Sequence, residues 1–363
     1  MTQVNTISSL PSVLLMAGGT GGHVFPALAI AEALREQGIT IHWLGTQRGL
    51  EARVVPAAGI EIHYINIGGL RGKGFHHLLI APVKIALAIW QSIKVLRQCQ
   101  PTVVIGMGGF VTGPGGVATR LLRIPLLIHE QNATMGLTNR WLARLAVQVM
   151  EAFPNTFPHH YRAIPTGNPL RKTILTLSIP SPRVIHQPLR ILIIGGSLGA
   201  KALNEVVPHA LQQVRGELEV WHQTGELHVA AMQHAYGQAT FSARVIAFIE
   251  DMASAYQWAD LVICRAGAMT ISELAQVAIP SILIPYPYAA DDHQTQNAQF
   301  LTKSGAAILL PQSELTIDKL SNLVEELVHQ PARLQAMSIA AKNCAQPTAL
   351  QQIVELCLKY SKI

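Results

Sequence analysis

One histidine and two polar clusters stand where residue type and spacing could handle a phosphorylated ligand. His23 closes the run Gly18-Gly19-Thr20-Gly21-Gly22, where a glycine loop meets a helix. An imidazole there titrates near neutrality. It can donate to a phosphate or take a proton from a hydroxyl; the plain alternative is a histidine bonding locally. The second feature is Arg265-Ala266-Gly267-Ala268-Met269-Thr270-Ile271-Ser272-Glu273. Its small residues leave room for a ligand, and Thr270 and Ser272 offer hydroxyls to phosphate oxygens. Glu273 can accept from two ribose hydroxyls. The spacing puts it in the first turn of a helix, where compensating the helix dipole is the plain alternative. The third is Asp291-Asp292-His293-Gln294-Thr295-Gln296-Asn297. Two aspartates and one histidine make a poor metal set, and a solvated loop is the plain reading.

These clusters need elements to hold them. Val13–Ala17, the first glycine loop and an Ala/Leu-rich stretch through Leu34 read as strand, loop and helix. Further apolar strands are expected at Thr40–Leu44, Val103–Ile105 and Pro125–Ile128, the second of these followed by Gly106-Met107-Gly108-Gly109. The pattern then restarts: strand Leu189–Ile194, loop Gly195-Gly196-Ser197-Leu198-Gly199-Ala200, helix Lys201–Leu211. Strands follow at Glu219–His222, Val245–Phe248, Leu261–Ile263, Ser281–Ile284 and Ala307–Leu310, with a helix from Thr270. Short continuous apolar strands alternating with helices mean parallel sheets covered on both faces. The expectation is therefore an α/β protein of two doubly wound, Rossmann-like domains facing a cleft. The N-terminal domain takes residues 1–164, a proline-rich hinge 165–188, and the C-terminal domain 189–340. A last apolar helix in 341–363 is expected to pack back on the first domain. Glycine loops that open helices offer backbone N–H groups and the positive end of a dipole, both suited to phosphate, although each loop alone is also an ordinary turn.

Composition narrows the class. The chain has 363 residues, 49% apolar and only 13% charged, which excludes disorder and permits two domains. The net charge of +6 is uneven. Residues 1–165 carry 13 basic and 6 acidic side chains, so the excess belongs to the N-terminal half. Cys99, Cys264, Cys344 and Cys357 show no CxxC spacing, so neither a disulfide framework nor a structural zinc site is expected. The start lacks a signal-peptide pattern, and the apolar stretch from Leu78 to Leu96 is broken by Pro82, Lys84, Gln91 and Lys94. No arginine-rich run or aromatic-interleaved basic stripe suggests nucleic acid. No GxxxxGK[ST] loop is present. Val24 stands where a dinucleotide fingerprint needs its third glycine, and no carboxylate ends the next strand, which argues against an NAD-dependent oxidoreductase.

Taken in order, the motifs resemble the MurG family of bacterial N-acetylglucosaminyl transferases. The matching segments are AGGTGGHVFPALA (17–29), GLRGKG (69–74), GMGGFVTGPGG (106–116), HEQNATMGLTN (129–139), GNP with Arg171 (167–171), GGSLGA (195–200), FIEDM (248–252), CRAGAMTISE (264–273) and DDHQTQNA (291–298). The resemblance implies the two-domain GT-B architecture and inverting transfer of N-acetylglucosamine from UDP-N-acetylglucosamine. The acceptor is the 4-hydroxyl of a muramyl-pentapeptide on undecaprenyl pyrophosphate, and the product is the β-1,4 disaccharide lipid II. Carried over residue by residue, it gives the diphosphate to Ser197 and Arg171 and the uracil to the Ile249 backbone. Ala268, Met269, Thr270, Ile271 and Ser272 would line the phosphates, Glu273 would hold the ribose, and Gln294 the sugar hydroxyls, with His293 and Gln296 as register alternatives. Thr20, Gly21, Gly22 and Asn132 would complete the donor site from the first domain.

The leaving diphosphate gathers negative charge that glycine-loop amides, a helix terminus and Arg171 can meet, so no cofactor or divalent metal is expected. The general base is expected to be His23, with Glu130 as the other candidate and local pairing as its plain role. The acceptor pyrophosphate is assigned to Gly18, Gly19, Gly108, Gly109, Gly113 and Gly115. A lipid-borne acceptor also requires an anionic membrane surface as partner, with the chain peripheral on the cytoplasmic face. Arg71, Lys73, Phe75, His76, His77, Leu78, Leu79, Ile80 and Trp90 form the candidate surface, while Ile85, Ile89, Ile93 and Leu96 follow helical spacing and read as core. The alternatives are another UDP-sugar enzyme of the same fold, such as a 2-epimerase, and a non-catalytic nucleotide-sugar binder.

Overall fold

The computed structural model describes residues 11–68, 75–196 and 199–361. These fall into two compact units: residues up to Arg171 together with those from Thr348, and Lys172–Pro347.

The first unit runs β1 (Ser12–Met16), α1 (Gly21–Arg35), β2 (Thr40–Gly45), α2 (Glu51–Ala57), β3 (Glu61–Tyr64), α3 (Phe75–Cys99), β4 (Val103–Gly106), α4 (Thr112–Leu122), β5 (Leu126–Glu130), α5 (Leu137–Leu142), β6 (Gln148–Glu151) and β7 (Ile164–Pro165). Its strands form one sheet in the order β3-β2-β1-β4-β5-β6-β7. Every ladder is parallel. The central strands β1, β4 and β5 are buried along their whole length, so their sequences are apolar except for Ser12 at the start of β1 and His129-Glu130 at the end of β5. One face of the sheet packs on α1, the other on α3, α4 and α5. The chain's last helix, Ala349–Ser361, lies on the α1 side, where Ile353, Val354 and Cys357 join Val13, Leu15 and Ile30 in one core.

The second unit runs α6 (Lys172–Leu175), β8 (Leu189–Ile194), α7 (Lys201–Gln213), β9 (Leu218–Gln223), α8 (Val229–Tyr236), β10 (Ser242–Ile246), α9 (Met252–Trp258), β11 (Leu261–Cys264), α10 (Ala268–Gln276), β12 (Ser281–Leu283), α11 (His293–Thr302), β13 (Ala307–Leu309), α12 (Ile317–Val328) and α13 (Pro331–Asn343). Its sheet is also parallel, ordered β10-β9-β8-β11-β12-β13. Ile191, Ile193 and Ile263 meet Leu203 and Val207 of α7 and Leu320 and Val324 of α12 in its core.

Strand order reverses beside β1 and β4 in the first sheet and beside β8 and β11 in the second. The loops Gly18–Gly22, Gly106–Gly109, Gly195–Ala200 and Ala266–Gly267 follow these four strands, so each unit carries two of them at its topological switch point, where open α/β sheets bind ligands. Two sequence expectations are corrected. Strand β10 starts three residues before Val245 and ends two before Phe248, which is 55% exposed and belongs to the following loop. Helix α10 begins at Ala268, so Glu273 is its sixth residue and stands in the second turn. Compensation of a first-turn dipole therefore does not account for it.

The proline-rich stretch 165–188 is divided between the units at Arg171 and Lys172. Its later part is built into the second unit by Arg183. That guanidinium is buried and donates to the carbonyls of Val277, Tyr256, Gln257 and Ala259. Burial pushes its pKa down to about 10, against the opposing pull of Asp260.

Candidate active site

In the first unit the site is assembled from the ends of β1, β4 and β5. Thr20 is the extended N-cap of α1, and His23 lies in the helix's first turn, which contains no acidic side chain to cancel the positive terminus. The two glycine loops touch. A Cβ on Gly109, where φ is +85°, would fall 2.3 Å from the Gly18 carbonyl oxygen. One on Gly108, where φ is +102°, would fall 2.9 Å from the His23 ring. Only glycine lets the β4 loop back onto that imidazole.

A run of polar groups settles the protonation of His23. His129 is fully buried on β5, and its Nε2 lies 2.9 Å from the Gly167 carbonyl, which can only accept. That nitrogen therefore carries the proton and Nδ1 carries the lone pair. The Gln131 amide nitrogen donates to His129 Nδ1 at 3.0 Å and to the His129 carbonyl at 3.1 Å. Turning that amide over would set oxygen against two acceptors, so its orientation is determined. Gln131 Oε1 then faces His23 Nδ1 at 2.9 Å and accepts its proton. The unprotonated, basic nitrogen of His23 is Nε2. Burial pushes the His129 pKa down to about 4, outweighing the Gly167 bond and the nearby Glu130 charge, so the inner imidazole stays neutral near pH 7.

The two carboxylates nearby are both committed to structure. Glu130 is buried at the end of β5 and accepts from the Asn132 backbone and side chain, the Gly136 N–H and the Asn139 side chain. It shapes the turn that carries Gln131 and Asn132, in keeping with its local-pairing role rather than with proton abstraction. Glu51, which the sequence motifs do not mark, is fully buried and accepts from Gly19 N–H, Thr46 N–H and the Thr46 hydroxyl. It holds the first glycine loop open.

The glycines assigned to the acceptor pyrophosphate divide by exposure. Gly19 is exposed, and Gly109 and Gly113 are partly so; Gly18 and Gly108 are buried behind the loop. Gly115 is corrected: it lies inside α4, where a Cβ would strike Met16 Sδ at 2.2 Å, so it serves helix-on-sheet packing. Arg171 is half-buried at the end of the first unit, four residues beyond Gly167.

In the second unit the corresponding surface lies beyond β8 and β11. Ser197 lies outside the described residues. Gly199 adopts φ +75°, and a Cβ there would strike the Thr224 carbonyl, so the loop after β8 presses against the end of β9. Helix α10 begins without an acidic first turn or a side-chain cap, and presents half-buried Met269, Thr270 and Ser272 with buried Ala268. The Ile271 side chain is fully buried, and its N–H bonds the Gly267 carbonyl. Glu273 is 8% exposed, and its Oε2 accepts from the Tyr256 hydroxyl at 2.9 Å. Tyr256 is itself held by Arg183 through its carbonyl. Ile249 sits between β10 and α9 with its side chain buried, outside any helix or strand.

Gln294 is the second residue of α11, and its Oε1 accepts from the N–H groups of Ala266 and Tyr286. Asn297, one turn later, donates to the Ala266 carbonyl at 3.2 Å. The pair latches α11 to the loop after β11. Arg265 braces the same loop through the carbonyls of Ile284 and Pro285 and the Gln312 side chain. His293 is half-buried and Gln296 exposed on the same helix. Sequence reasoning missed Gln131, Glu51, Tyr256, Arg183 and Asn297 as site-building residues. Gln131 and Asn297 fall within quoted motifs, whereas Glu51, Arg183 and Tyr256 carry no local signal.

The chain is similar to known proteins along most of its length. The glycosyltransferase family 28 N-terminal domain matches residues 13–151, and the family's C-terminal domain matches residues 190–353. A UDP-N-acetylglucosamine–N-acetylmuramyl-(pentapeptide) pyrophosphoryl-undecaprenol N-acetylglucosamine transferase of Methylococcus capsulatus is 51% identical over 349 residues, covering 96% of this chain and 98% of its own. The protein of the same description from Stutzerimonas stutzeri is 49% identical over 350 residues, with the same coverage. The crystal structure of Acinetobacter baumannii MurG superposes with a TM-score of 0.84 at 45% identity, over 96% of this chain and 99% of that one.

Proposed function

The chain belongs to the MurG family within glycosyltransferase family 28, and from that premise we propose how its own residues perform the transfer. It is an N-acetylglucosaminyl transferase, taking the sugar from UDP-N-acetylglucosamine to undecaprenyl-pyrophosphoryl-N-acetylmuramyl-pentapeptide and so forming lipid II. The observation that carries the mechanism is the hydrogen-bond order that leaves His23 Nε2 bare.

In this reading the acceptor 4-hydroxyl gives its proton to His23 Nε2 as its oxygen attacks the anomeric carbon. The bond from that carbon to the diphosphate oxygen breaks, and its electron pair leaves with UDP. Attack from the face opposite the leaving group turns an α-linked donor into a β-1,4 product. The imidazolium that forms keeps its Nδ1–H bond to Gln131 Oε1, so the ring need not turn to accept the proton. In the second unit the first turn of α10 offers its positive end to the growing diphosphate charge, and Glu273, fixed by Tyr256, accepts from the ribose hydroxyls; Arg171 is the cation assigned to the same diphosphate. The Ile249 backbone takes the uracil and Gln294 the sugar. No divalent metal is assigned to the step.

The acceptor's lipid supports a peripheral position on the cytoplasmic face of the membrane. Among the described residues no helix is long and apolar enough to cross a bilayer. Helix α3 instead exposes Ile80, Val83, Leu87 and Trp90 at helical spacing along one stripe, the last two at 46% and 54%. Lys84 is exposed beside the stripe, and Lys94 lies over the Trp90 ring. Ile89, Ile93 and Leu96 pack inward, as their spacing suggests. Arg71 and Lys73, and the side chains of Phe75, His76, His77, Leu78 and Leu79, lie outside the described residues. An apolar stripe flanked by cations suits an anionic leaflet.

Release of UDP that depends on the lipid-linked acceptor tests the transferase reading. UDP release without acceptor, or donor binding with no release at all, would count against it.

A further inference from the structure

A second chemical cluster lies on the first unit, away from the glycine loops. Strands β2 and β3 pair with His42 opposite Glu61 and Leu44 opposite His63. In a parallel ladder this puts the side chains of His42, Glu61 and His63 on one face. Cys99, the last residue of α3, packs into the core on that same face with Leu44, Ile65 and Leu96. The imidazoles of His42 and His63 and the thiol of Cys99 are half-buried, and their ligand atoms lie within 4.8 Å of one another. Cys99 Sγ is 3.2 Å from His63 Nε2. The Glu61 carboxylate spans the two rings, 3.4 Å from His63 Nε2 and 3.2 Å from His42 Nδ1.

Protons alone satisfy this arrangement poorly. His63 Nε2 faces both a thiol, from whose S–H it would accept, and a carboxylate, to which it would donate. It cannot do both. His42 Nδ1 is buried without a well-formed hydrogen bond although the carboxylate is near.

We propose that His42, His63, Cys99 and Glu61 form a binding site for a divalent transition-metal ion of the zinc class. Two imidazole nitrogens, one thiolate and one carboxylate make a set suited to tetrahedral zinc. Zinc bonds of about 2.0–2.3 Å put neighbouring ligand atoms roughly 3.3–3.6 Å apart, and His63 Nε2 already stands 3.2 Å from Cys99 Sγ and 3.4 Å from a Glu61 oxygen. On binding, the thiol loses its proton to solvent, and the thiolate and carboxylate together balance the two positive charges of the ion. The ion would tie the end of α3 to the β2–β3 edge. Sequence spacing hides the set, because its members come from three elements and include no CxxC pair.

The test uses the full chain, stripped with a chelator and then titrated with cobalt(II) and zinc(II). One cobalt per chain with a thiolate-to-cobalt absorption band is expected, together with a zinc-dependent rise in Tm. Cys99→Ser should abolish the band, and His63→Ala should weaken zinc binding by about 100-fold or more. Circular dichroism and donor-dependent activity confirm that each variant is folded. A band that survives in folded Cys99→Ser, or zinc affinity unchanged in both folded variants, would overturn the site.

Discussion

His23 Nδ1 lies 2.9 Å from Gln131 Oε1, across 108 residues of sequence, and this one bond determines which nitrogen of the imidazole is basic. Donation runs from His23 through Gln131 and His129 to the Gly167 carbonyl, which accepts at the end of the chain. If His23 Nε2 takes the acceptor proton, His23→Ala should lower kcat by about 100-fold or more. Gln131→Leu should lower kcat by a smaller factor and move the acidic limb of the kcat–pH profile, leaving the donor KM near its original value. An unmoved profile would remove Gln131 from this positioning role.

Gly108→Ala should damage the same group from behind. The added Cβ meets the His23 ring at 2.9 Å and also requires a left-handed backbone. The expected result is a kcat loss of about 10- to 100-fold with donor affinity retained, as for a displaced reactive group. Turnover kinetics and donor titration read the two effects separately.

Glu273 and Tyr256 should act as a pair on the donor. Glu273→Ala is expected to raise the donor KM more than it lowers kcat. Tyr256→Phe, which removes the 2.9 Å bond to the carboxylate, should raise the donor KM by a smaller factor. A double variant no worse than Glu273→Ala would show that the tyrosine works through the carboxylate. An unchanged KM in both single variants would take Glu273 off the ribose.

Replacing Leu87 and Trp90 by serine should weaken binding to anionic vesicles by about 10-fold or more, since both side chains are exposed and large. Lys84→Glu should weaken it in a way that fades as salt rises. Vesicle sedimentation indifferent to all three changes would assign the membrane contact elsewhere.

Acid should destabilise each unit through one buried histidine. Burial pushes His129 down to about 4 and His222 down to about 3. Both values lie below the unfolded value near 6.5. Between pH 6.5 and those values the unfolded chain binds protons that the native chain refuses, so stability falls as pH falls. The slope is about 1 kcal/mol per pH unit for each histidine. Denaturant melts between pH 7 and 5 should show it, and His222→Leu should flatten the part belonging to the second unit.

The sequence by itself determined the class of the fold, the two series of strands and the loops that carry function. Those signals are local. A strand covered on both faces, such as Leu261–Cys264, must be a continuous apolar run, and a helix opened by glycines announces itself within six residues. Tertiary structure alone decided which groups meet. The basic nitrogen of His23, the commitment of Glu51 to the Gly19 amide, and the gathering of His42, His63 and Cys99 all depend on contacts between residues far apart in the chain. Proton placement and metal-ligand geometry follow from distances of a few ångströms. Only the packed sheets and helices set those distances.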